Sequence, residues 1–272
     1  MTIPAAAPSS IAVLEAEVLD HQEIAPEHFV LTMDAPQIAA RARPGQFVMV
    51  RSVGWDPLLP RAYSVYHADA EGGCVSILYR EVGRGTQRLR LNEPGQRVHL
   101  WGPLGNHFRL PEGERVLLVG GGVGVPPLVF WAEYLAELSV PMEMVALVGA
   151  ARAEFVVGVG RFREARALTR VATDDGSAGH HGYVTDLLPQ FLDGARATIY
   201  ACGPMPMLAA VARIAEQYET PAQLALEAPM ACGVGACLGC TVPKRSGDFA
   251  RVCTDGPVFA PGDIAWQDVA SH

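Results

Sequence analysis

Four cysteines near the carboxyl-terminal end of the chain have the spacing needed to hold an inorganic cluster. They are Cys232, Cys237, Cys240 and Cys253, in the pattern C-x4-C-x2-C-x12-C. The first three offsets match the plant-type ferredoxin spacing for a [2Fe–2S] cluster. Three glycines lie between them, at Gly233, Gly235 and Gly239. Because glycine lets a loop wrap closely around a ligand, the pattern predicts iron–sulfur chemistry.

Two other interpretations of these cysteines stay open from the sequence. A structural zinc site favours two separate CxxC-like pairs, whereas this chain has one true CxxC, from Cys237 to Cys240. The second interpretation is that the four cysteines are simply buried thiols, but it does not explain the glycines that lie between them. A further cysteine, Cys74, lies in a strand pattern and is interpreted as a small buried hydrophobic residue.

The segment RAYSVY, which begins at Arg61, has residue types that suit a strand facing a flavin. The Arg61 guanidinium can clamp a phosphate, the Tyr63 ring can stack, and the Ser64 hydroxyl can reach a ring nitrogen. Downstream, in the segment GRGT, Gly85 and Thr86 stand at a predicted helix start, where free N–H groups attract a pyrophosphate. Ordinary strand alternation and a turn capped by threonine are the alternatives.

The segment LLVGGGVGVPPL ends a predicted strand in glycine and continues into a predicted helix. Its glycines are Gly120, Gly121, Gly122 and Gly124. Glycines at such a turn let a phosphate-bearing ligand approach the backbone. The segment YACGPMPML repeats the arrangement and places Cys202 at the carboxyl edge of the predicted sheet. A tight strand-to-helix turn and a buried cysteine are the alternatives at these two places.

Two loops carry charged or titratable residues whose role the sequence does not decide. The segment VGARAEF offers both Arg152 and Glu154. An acidic residue in such a loop favours NAD and an arginine favours NADP, so the pair does not choose the coenzyme. His180 and His181 are predicted to be solvated loop residues, because no set of partner ligands lies near them.

Two different element patterns must position these residues. From Ile11 to about Arg109, short β segments alternate with turn signals, with one short helix predicted at GRGTQRLRLN, which predicts an antiparallel barrel. From RVLLVGGG onward, strands alternate with helices, including a helix predicted at GYVTDLLPQFL, so a parallel, doubly wound sheet is expected. From about Ala225 the pattern dissolves into a segment rich in Cys and Gly with a few short β runs.

These patterns predict a multidomain chain with four parts. Residues 1–10 are predicted to be a flexible tail, 11–110 an antiparallel β-barrel domain with the flavin-type motif, 111–224 an α/β nucleotide-binding domain and 225–272 a small cluster domain. At 272 residues the chain is long enough for two or more cores. The junction between barrel and sheet is placed near Pro111.

Composition excludes several function classes. The formal net charge is −8 and no dense block of Lys or Arg is present, so nucleic-acid binding is not expected. No apolar stretch is long enough to span a bilayer, and the beginning of the sequence does not resemble a signal peptide. A cytoplasmic location is therefore predicted, where thiols stay reduced and clustered cysteines serve metal or redox chemistry.

The motifs RAYS, GRGT, GGGVGVPPL, CGPMPML and the four-cysteine segment, in this order, resemble the ferredoxin–NADP reductase-like superfamily. Within it, the cluster placed directly after the nucleotide domain, followed by DGPVF, resembles electron-transfer subunits of class 1B dihydroorotate dehydrogenase. The resemblance implies that the barrel binds FAD, the second domain NADH and the cysteines a [2Fe–2S] cluster. The residues it implies for FAD are Arg61, Ala62, Tyr63, Ser64, Leu78, Tyr79, Arg80, Gly85 and Thr86. Those it implies for NADH are Gly120, Gly121, Gly122 and Gly124, with Cys202 and Gly203 near the nicotinamide.

The same resemblance implies a function as one subunit of an NAD-linked oxidoreductase, with no catalytic residue for dihydroorotate in this chain. Electrons would pass from the FMN of a catalytic partner, through the cluster and FAD, to NAD⁺, in a hetero-oligomer of two plus two subunits. One alternative is a flavin and iron–sulfur subunit of a hydrogenase, sulfide dehydrogenase or ferredoxin oxidoreductase. An alternative of another class is a zinc-stabilised nucleotide-binding regulatory module.

Overall fold

The computed structural model describes residues 11–54, 57–138, 141–192 and 196–269, so the predicted tail, 1–10, lies outside the described residues. Six strands form a closed antiparallel barrel in the order β1-β2-β5-β4-β3-β6. They are β1 (Ala12–Ala25), β2 (His28–Asp34), β3 (Phe47–Ser52), β4 (Arg61–Asp69), β5 (Cys74–Arg80) and β6 (Arg97–Leu104). Two short helices join them, α1 (Pro36–Ala39) and α2 (Arg84–Arg90). The predicted barrel is confirmed.

The barrel closes around alternate apolar side chains of its strands. Val18, Leu31, Met33, Val48 and Leu100 are fully or almost fully buried inside it. Strand β1 runs five residues further than its apolar pattern indicates, because its first half pairs with β6 and its second half with β2. Backbone hydrogen bonds to β2 therefore hold the polar stretch HQEIA in a strand that composition alone does not predict.

The second half of the chain forms a sheet with helices on both faces. Its first six strands are β7 (Arg115–Gly121), β8 (Glu143–Ala150), β9 (Leu168–Thr173), β10 (His180–His181), β11 (Ala197–Cys202) and β12 (Ala222–Ala225). They are parallel and lie in the order β10-β9-β8-β7-β11-β12. The helices are α3 (Pro126–Glu137), α4 (Val159–Glu164) and α5 (Met205–Gln217). The doubly wound architecture is thus confirmed.

Two details of this sheet differ from the sequence prediction. The segment predicted as a helix at residues 182–192 is a 3₁₀ helix, Val184–Phe191, and Pro189 inside it has no N–H to donate to a longer helical ladder. The short elements α4 and β12 were not predicted. Helix α4 has only six residues and follows Gly158 at φ +80°, so its apolar period is too short to recognise.

The carboxyl-terminal segment contributes a strand to the sheet. It contains a hairpin of β13 (Thr241–Pro243) and β14 (Phe249–Arg251), then β15 (Val258–Phe259) and α6 (Trp266–Val269). Strand β15 pairs antiparallel with β12, so the prediction of an all-parallel sheet is wrong at this edge. The division of the chain into independent domains stays a prediction.

The barrel and the sheet pack directly against each other. Helix α3 lies on β4, and there Glu133 bridges the two bodies. Its carboxylate lies 3.0 Å from Nδ1 of His67 and accepts a 2.7 Å hydrogen bond from Nε of Arg161. The Arg161 guanidinium lies 5.1 Å from the ring centre of Tyr66. No helix in the described part of the chain is long and apolar enough to cross a membrane.

Candidate functional site

A cavity of about 680 Å³ opens between the barrel and the carboxyl edge of the sheet. The predicted binding residues that line it are Arg61, Ala62, Tyr63, Ser64, Leu78, Tyr79, Arg80, Thr86, Gly121, Gly122, Gly124, Cys202 and Gly203. Gly85 and Gly120 do not line it. Motifs from four separate parts of the sequence therefore meet in one space, whose volume lies in the usual range for a ligand site.

Gly85 borders a small recess beside the cavity, together with Arg51 and Arg61. A Cβ at this position would overlap the guanidinium of Arg61, so glycine leaves the room that this side chain occupies. Nε of Arg51 is buried and has no hydrogen-bond partner among the described residues. The recess holds only about 10 Å³, no more than a water molecule, but Arg61 also lines the main cavity, where its guanidinium suits an anionic group such as a pyrophosphate. The barrel residues therefore fit FAD.

On the barrel wall of the cavity two aromatic rings lie together, with the charged Arg61 and Arg80 beside them. The rings of Tyr63 and Tyr79 lie 5.8 Å apart, and Nε2 of His21 lies 2.9 Å from the Tyr79 hydroxyl. Burial raises the pKa of both tyrosines well above the usual range, so both stay neutral. A pair of neutral rings of this kind suits a planar conjugated ring system.

The glycine turn after β7 and the turn after β11 pack against each other at the sheet edge. A Cβ on Gly124 would overlap the backbone carbonyl of Cys202, and Gly122 adopts φ +54°. Gly120 lies inside β7 and pairs with Cys202, so it serves this packing rather than the cavity wall. The backbone is therefore exposed to a phosphate-bearing ligand where no side chain intervenes.

The Cys202 side chain is buried at this edge. Desolvation, with a smaller contribution from the nearby Glu227 carboxylate, raises the pKa of its thiol well above the ordinary value. The thiol is therefore neutral and is a poor nucleophile. A small neutral side chain next to the glycine turn leaves room for a flat ring at this edge. The nicotinamide role of Cys202 stays a prediction.

Several cavity residues were not predicted from the sequence, and Glu227 is the most informative. It follows β12, lines the cavity and is reached by water through it. The surrounding protein nevertheless desolvates its carboxyl group and raises the pKa above the ordinary 4.5. Others are His28, Phe155, Ala228, Pro229 and Met230. No local motif marks these residues, because separate loops bring them together.

The raised pKa of Glu227 has a consequence for stability. Between its ordinary and its raised pKa the folded chain binds more protons than the unfolded chain, so the free energy of unfolding falls as the pH rises through that window. We expect Glu227→Gln to unfold at a higher temperature than the original chain at about pH 8, with the difference vanishing towards about pH 4.5. Thermal unfolding followed by circular dichroism measures this. A constant difference at every pH would contradict the assignment.

The four predicted ligand cysteines come together as two pairs. Sγ of Cys240 lies 3.2 Å from Sγ of Cys253, and both side chains are buried. Cys237 is exposed and its thiol is hydrogen-bonded to the half-buried Cys232. Burial acts to raise the pKa of Cys232, but N–H groups of Val234 and neighbouring residues outweigh it and lower the pKa to about 6. A thiolate is the form that binds iron.

The pairing fits a binuclear cluster better than a single ion. No three His, Cys, Asp or Glu side chains in the described ranges are arranged to hold one metal ion. In a [2Fe–2S] cluster four ligands are shared between two irons, as two pairs of sulfurs would be. Gly233 and Gly235 adopt φ +71° and +80°, and Gly233 packs on Met49 and Leu104 of the barrel. The loop therefore fits an iron–sulfur cluster. His180 and His181 lie exposed, as predicted, but they form the short strand β10 rather than a loop, because they pair with the end of β9.

Two family models match two separate parts of the chain, the barrel and the cysteine-rich segment. Residues 15–108 match the oxidoreductase FAD-binding domain. Residues 227–265 match the iron–sulfur cluster binding domain of dihydroorotate dehydrogenase B.

Similar proteins cover almost the whole chain. The dihydroorotate dehydrogenase B (NAD(+)) electron transfer subunit of Desulforamulus reducens is 38% identical over 261 residues, covering 94% of this chain and 99% of the relative. That of Bacillus caldolyticus is 42% identical over 258 residues, covering 91% and 96%. Among solved structures, a chain of the NADH-dependent reduced ferredoxin-NADP oxidoreductase has a TM-score of 0.84, 29% identity and coverage of 95% and 94%. The ferredoxin reductase of carbazole 1,9a-dioxygenase, with TM-score 0.66, 23% identity and coverage of 78% and 67%, shares the fold.

A barrel that fits FAD and a doubly wound sheet with a glycine turn meet at one cavity, and a loop of paired cysteines follows the cavity wall. These features define a flavin and iron–sulfur oxidoreductase of ferredoxin reductase-like fold. Within that class, the chain belongs to the family of dihydroorotate dehydrogenase B electron transfer subunits. The roles of individual cavity residues stay predictions.

Proposed function

We propose that this chain carries electrons from the FMN of a dihydroorotate-oxidising partner, through its [2Fe–2S] cluster and FAD, to NAD⁺. The observation that carries the proposal is the course of residues 225–230. These residues line the cavity, and the chain reaches Cys232 two residues later. The cluster loop is thus continuous with the wall of the proposed flavin site, and its Gly233 touches the barrel.

The order of the cofactors follows from electron counting. Nicotinamide exchanges two electrons as a hydride, an iron–sulfur cluster transfers single electrons, and FAD can do both. In this chain, Arg61 would hold the FAD pyrophosphate, and the rings of Tyr63 and Tyr79 would lie beside the flavin ring. Cys202 and Gly203 would face the nicotinamide from the sheet edge. The remaining task of the protein is to orient the two ring systems and exclude water between them.

The partner would dock over the cluster loop. Val234 is 44% exposed and Leu238 59% exposed, and both flank the exposed Cys237. Apolar side chains next to a redox centre favour a protein surface that excludes water and shortens the electron path. A catalytic subunit that binds FMN, in a cytoplasmic complex of two plus two subunits, is the partner we propose.

Leu238→Lys is expected to weaken binding of the FMN subunit at least about tenfold, because a charge would have to be buried at the interface. Isothermal titration of one purified subunit into the other measures the affinity. Val13→Lys, an equally drastic change of a 76% exposed apolar residue on β1, is the control and should leave binding unchanged. Iron and FAD content must be unaltered in both variants. Equal affinity for Leu238→Lys would place the docking surface elsewhere.

A second candidate comes from the structural match to the NADH-dependent reduced ferredoxin-NADP oxidoreductase, which covers 95% of this chain. On that alternative the partner would deliver electrons from ferredoxin. Purified holoprotein mixed with the FMN subunit should reduce NAD⁺ when dihydroorotate is added. Reduction by ferredoxin but not by dihydroorotate would favour the alternative. A colourless, iron-free chain that stays folded would contradict both.

A further inference from the structure

Strand β4 and helix α3 form the contact between the barrel and the sheet, and each of them also carries part of the cavity wall. Residues 61–64 of β4 line the cavity, and His67 follows on the same strand. Pro126, the first residue of α3, lines the cavity from the sheet side, and Glu133 lies further along the same helix. With a rise of about 3.3 Å per residue in a strand and about 1.5 Å in a helix, the contact lies about 10 Å from the cavity along both elements.

Apolar packing holds the barrel and the sheet together at this contact. Phe130 of α3 is buried among the core side chains of the barrel, and Tyr66 of β4 is buried among those of the sheet. Each body therefore contributes one aromatic ring to the core of the other. Burial of this kind is strong but non-directional, so it does not by itself fix the angle between α3 and β4.

The Glu133 carboxylate adds directional contacts through both of its oxygens. Oε1 lies 2.7 Å from Nε and 2.6 Å from Nη2 of Arg161, and Oε2 lies 3.0 Å from Nδ1 of His67. The Glu133 side chain is only 18% exposed, so solvent ions screen these contacts weakly. Because a charge-assisted fork of this kind requires a specific geometry, it restrains the height and the tilt of α3 against β4.

Arg161 links a third element to the same contact. It lies on α4, which packs tightly against the start of α3, because a Cβ on Gly158 would overlap the side chain of Val125. The segment that leads into α4 contains Phe155, which lines the cavity. The ion network of Glu133, His67 and Arg161 thus ties β4 to both sheet segments that border the cavity.

We propose that this ion network positions the nicotinamide-binding edge of the sheet against the flavin-binding strand for hydride transfer. The inference rests on the proposed function for the places of the two coenzymes. In the transfer the C4–H bond of NADH breaks, its hydrogen and both electrons pass to N5 of the flavin, and NAD⁺ and FADH⁻ result. None of the three side chains lines the cavity, so they are positioning residues and not catalytic ones.

The length of the two elements shows why a distant contact matters to the reaction. Over about 10 Å, a tilt of about 6° between α3 and β4 shifts the glycine turn by about 1 Å relative to the strand. A misplacement of about 1 Å can slow an enzymatic reaction about a hundredfold. A small change of angle at Glu133 is therefore enough to separate the two rings.

Glu133→Gln tests the proposal because it removes the charge and keeps the shape of the side chain. Reduction of FAD by saturating NADH, followed by stopped-flow absorbance in the FAD-loaded chain alone, should slow at least about tenfold. The charge-transfer absorbance that forms on mixing should fall as well, because it requires the two rings to stack. FAD content and the affinity for ADP-ribose, measured by isothermal titration, should stay within about twofold, since the network lies outside the cavity.

A second measurement needs no coenzyme. Amide hydrogen exchange of the flavin-free chain reports local opening of the contact. In Glu133→Gln, residues 65–69 and 126–137 should exchange at least about threefold faster, whereas the amides where β1 pairs with β2 should keep their original rates.

Two further variants show whether the residues act together. Arg161→Gln should slow flavin reduction to a similar extent, and the double variant should be no slower than the slower single variant. Glu143→Gln is the matched control, because it breaks an Arg–Glu pair of similar length, with Arg115, that lies within the sheet. It should leave flavin reduction and hydrogen exchange at the contact unchanged.

The outcomes separate this inference from the proposed function. If NADH reduces the FAD of the original chain and Glu133→Gln reacts within about twofold of that rate, the inference alone is overturned, even where the variant unfolds at a lower temperature. If NADH does not reduce the FAD of the original chain, the proposed function is overturned as well. Fully additive losses in the double variant would refute joint action. Should Glu133→Gln not fold, the rate in Arg161→Gln decides by the same criterion.

Discussion

Cys237→Ser is expected to abolish reduction of NAD⁺ by dihydroorotate in the complex while leaving NADH oxidation with ferricyanide nearly unchanged. Replacing a residue that only hydrogen-bonds a metal ligand already lowers metal affinity or activity about 10–100-fold. Replacing a ligand itself should therefore lower cluster content and electron transfer further. Cys237 is exposed, so its replacement leaves the hydrophobic core intact. Iron and sulfide content, the visible spectrum and the two activities are the measurements.

Cys74→Ser is the matched control for that experiment. Cys74 is half-buried at the start of β5, in the barrel, and is not one of the four cluster cysteines. Its replacement should retain the cluster and both activities. If Cys237→Ser instead lost both activities in equal measure, the cysteines would hold the fold together and would not form an electron path.

Gly85→Ala is expected to weaken FAD binding by roughly a hundredfold, through displacement of one side chain. The added methyl group would overlap the Arg61 guanidinium, which would have to leave the recess it shares with Arg51. A bidentate guanidinium–phosphate contact would be lost, and charge-assisted hydrogen bonds of this kind contribute about 1.5–3 kcal/mol each. Fluorescence titration of the flavin-free chain with FAD measures the affinity.

Gly83→Ala provides a control of the same chemistry two residues away. Gly83 has an extended backbone, and a Cβ there would meet nothing within 4 Å. FAD affinity should therefore stay within a few-fold of the original. Equal losses in both variants would mean that glycine is needed for the backbone of the turn, and equal retention would mean that Arg61 does not bind the pyrophosphate.

The sequence predicts most of the fold because its periodicities are local. Alternating apolar residues are enough to identify the barrel strands, and the glycine-ended runs identify β7 and β11. The four predicted ligand cysteines are recognised for the same reason, since three of them fall within nine residues. Their arrangement as two pairs is not visible in the spacing, because Cys253 reaches Cys240 through the hairpin of β13 and β14.

The rest of the site depends on contacts between distant segments. Glu227 follows a four-residue strand and has no motif of its own, and its raised pKa comes from surroundings that several loops create. Arg152 and Glu154 are visible in the sequence, but the ion pair that they form is not. Gly85 stands in the predicted GRGT motif, but its close approach to the guanidinium of Arg61 is not visible in the sequence.

The pairing of β15 with β12 sets a limit on how this molecule can be divided. Two residues of the last segment, Val258 and Phe259, cover the outer edge of a strand that ends next to the cavity. A shortened gene product that stops at residue 224 would leave that edge open to other chains, and an uncovered edge promotes aggregation. Transfer of the cysteine loop to another reductase would therefore have to include β15, which covers this edge of the sheet.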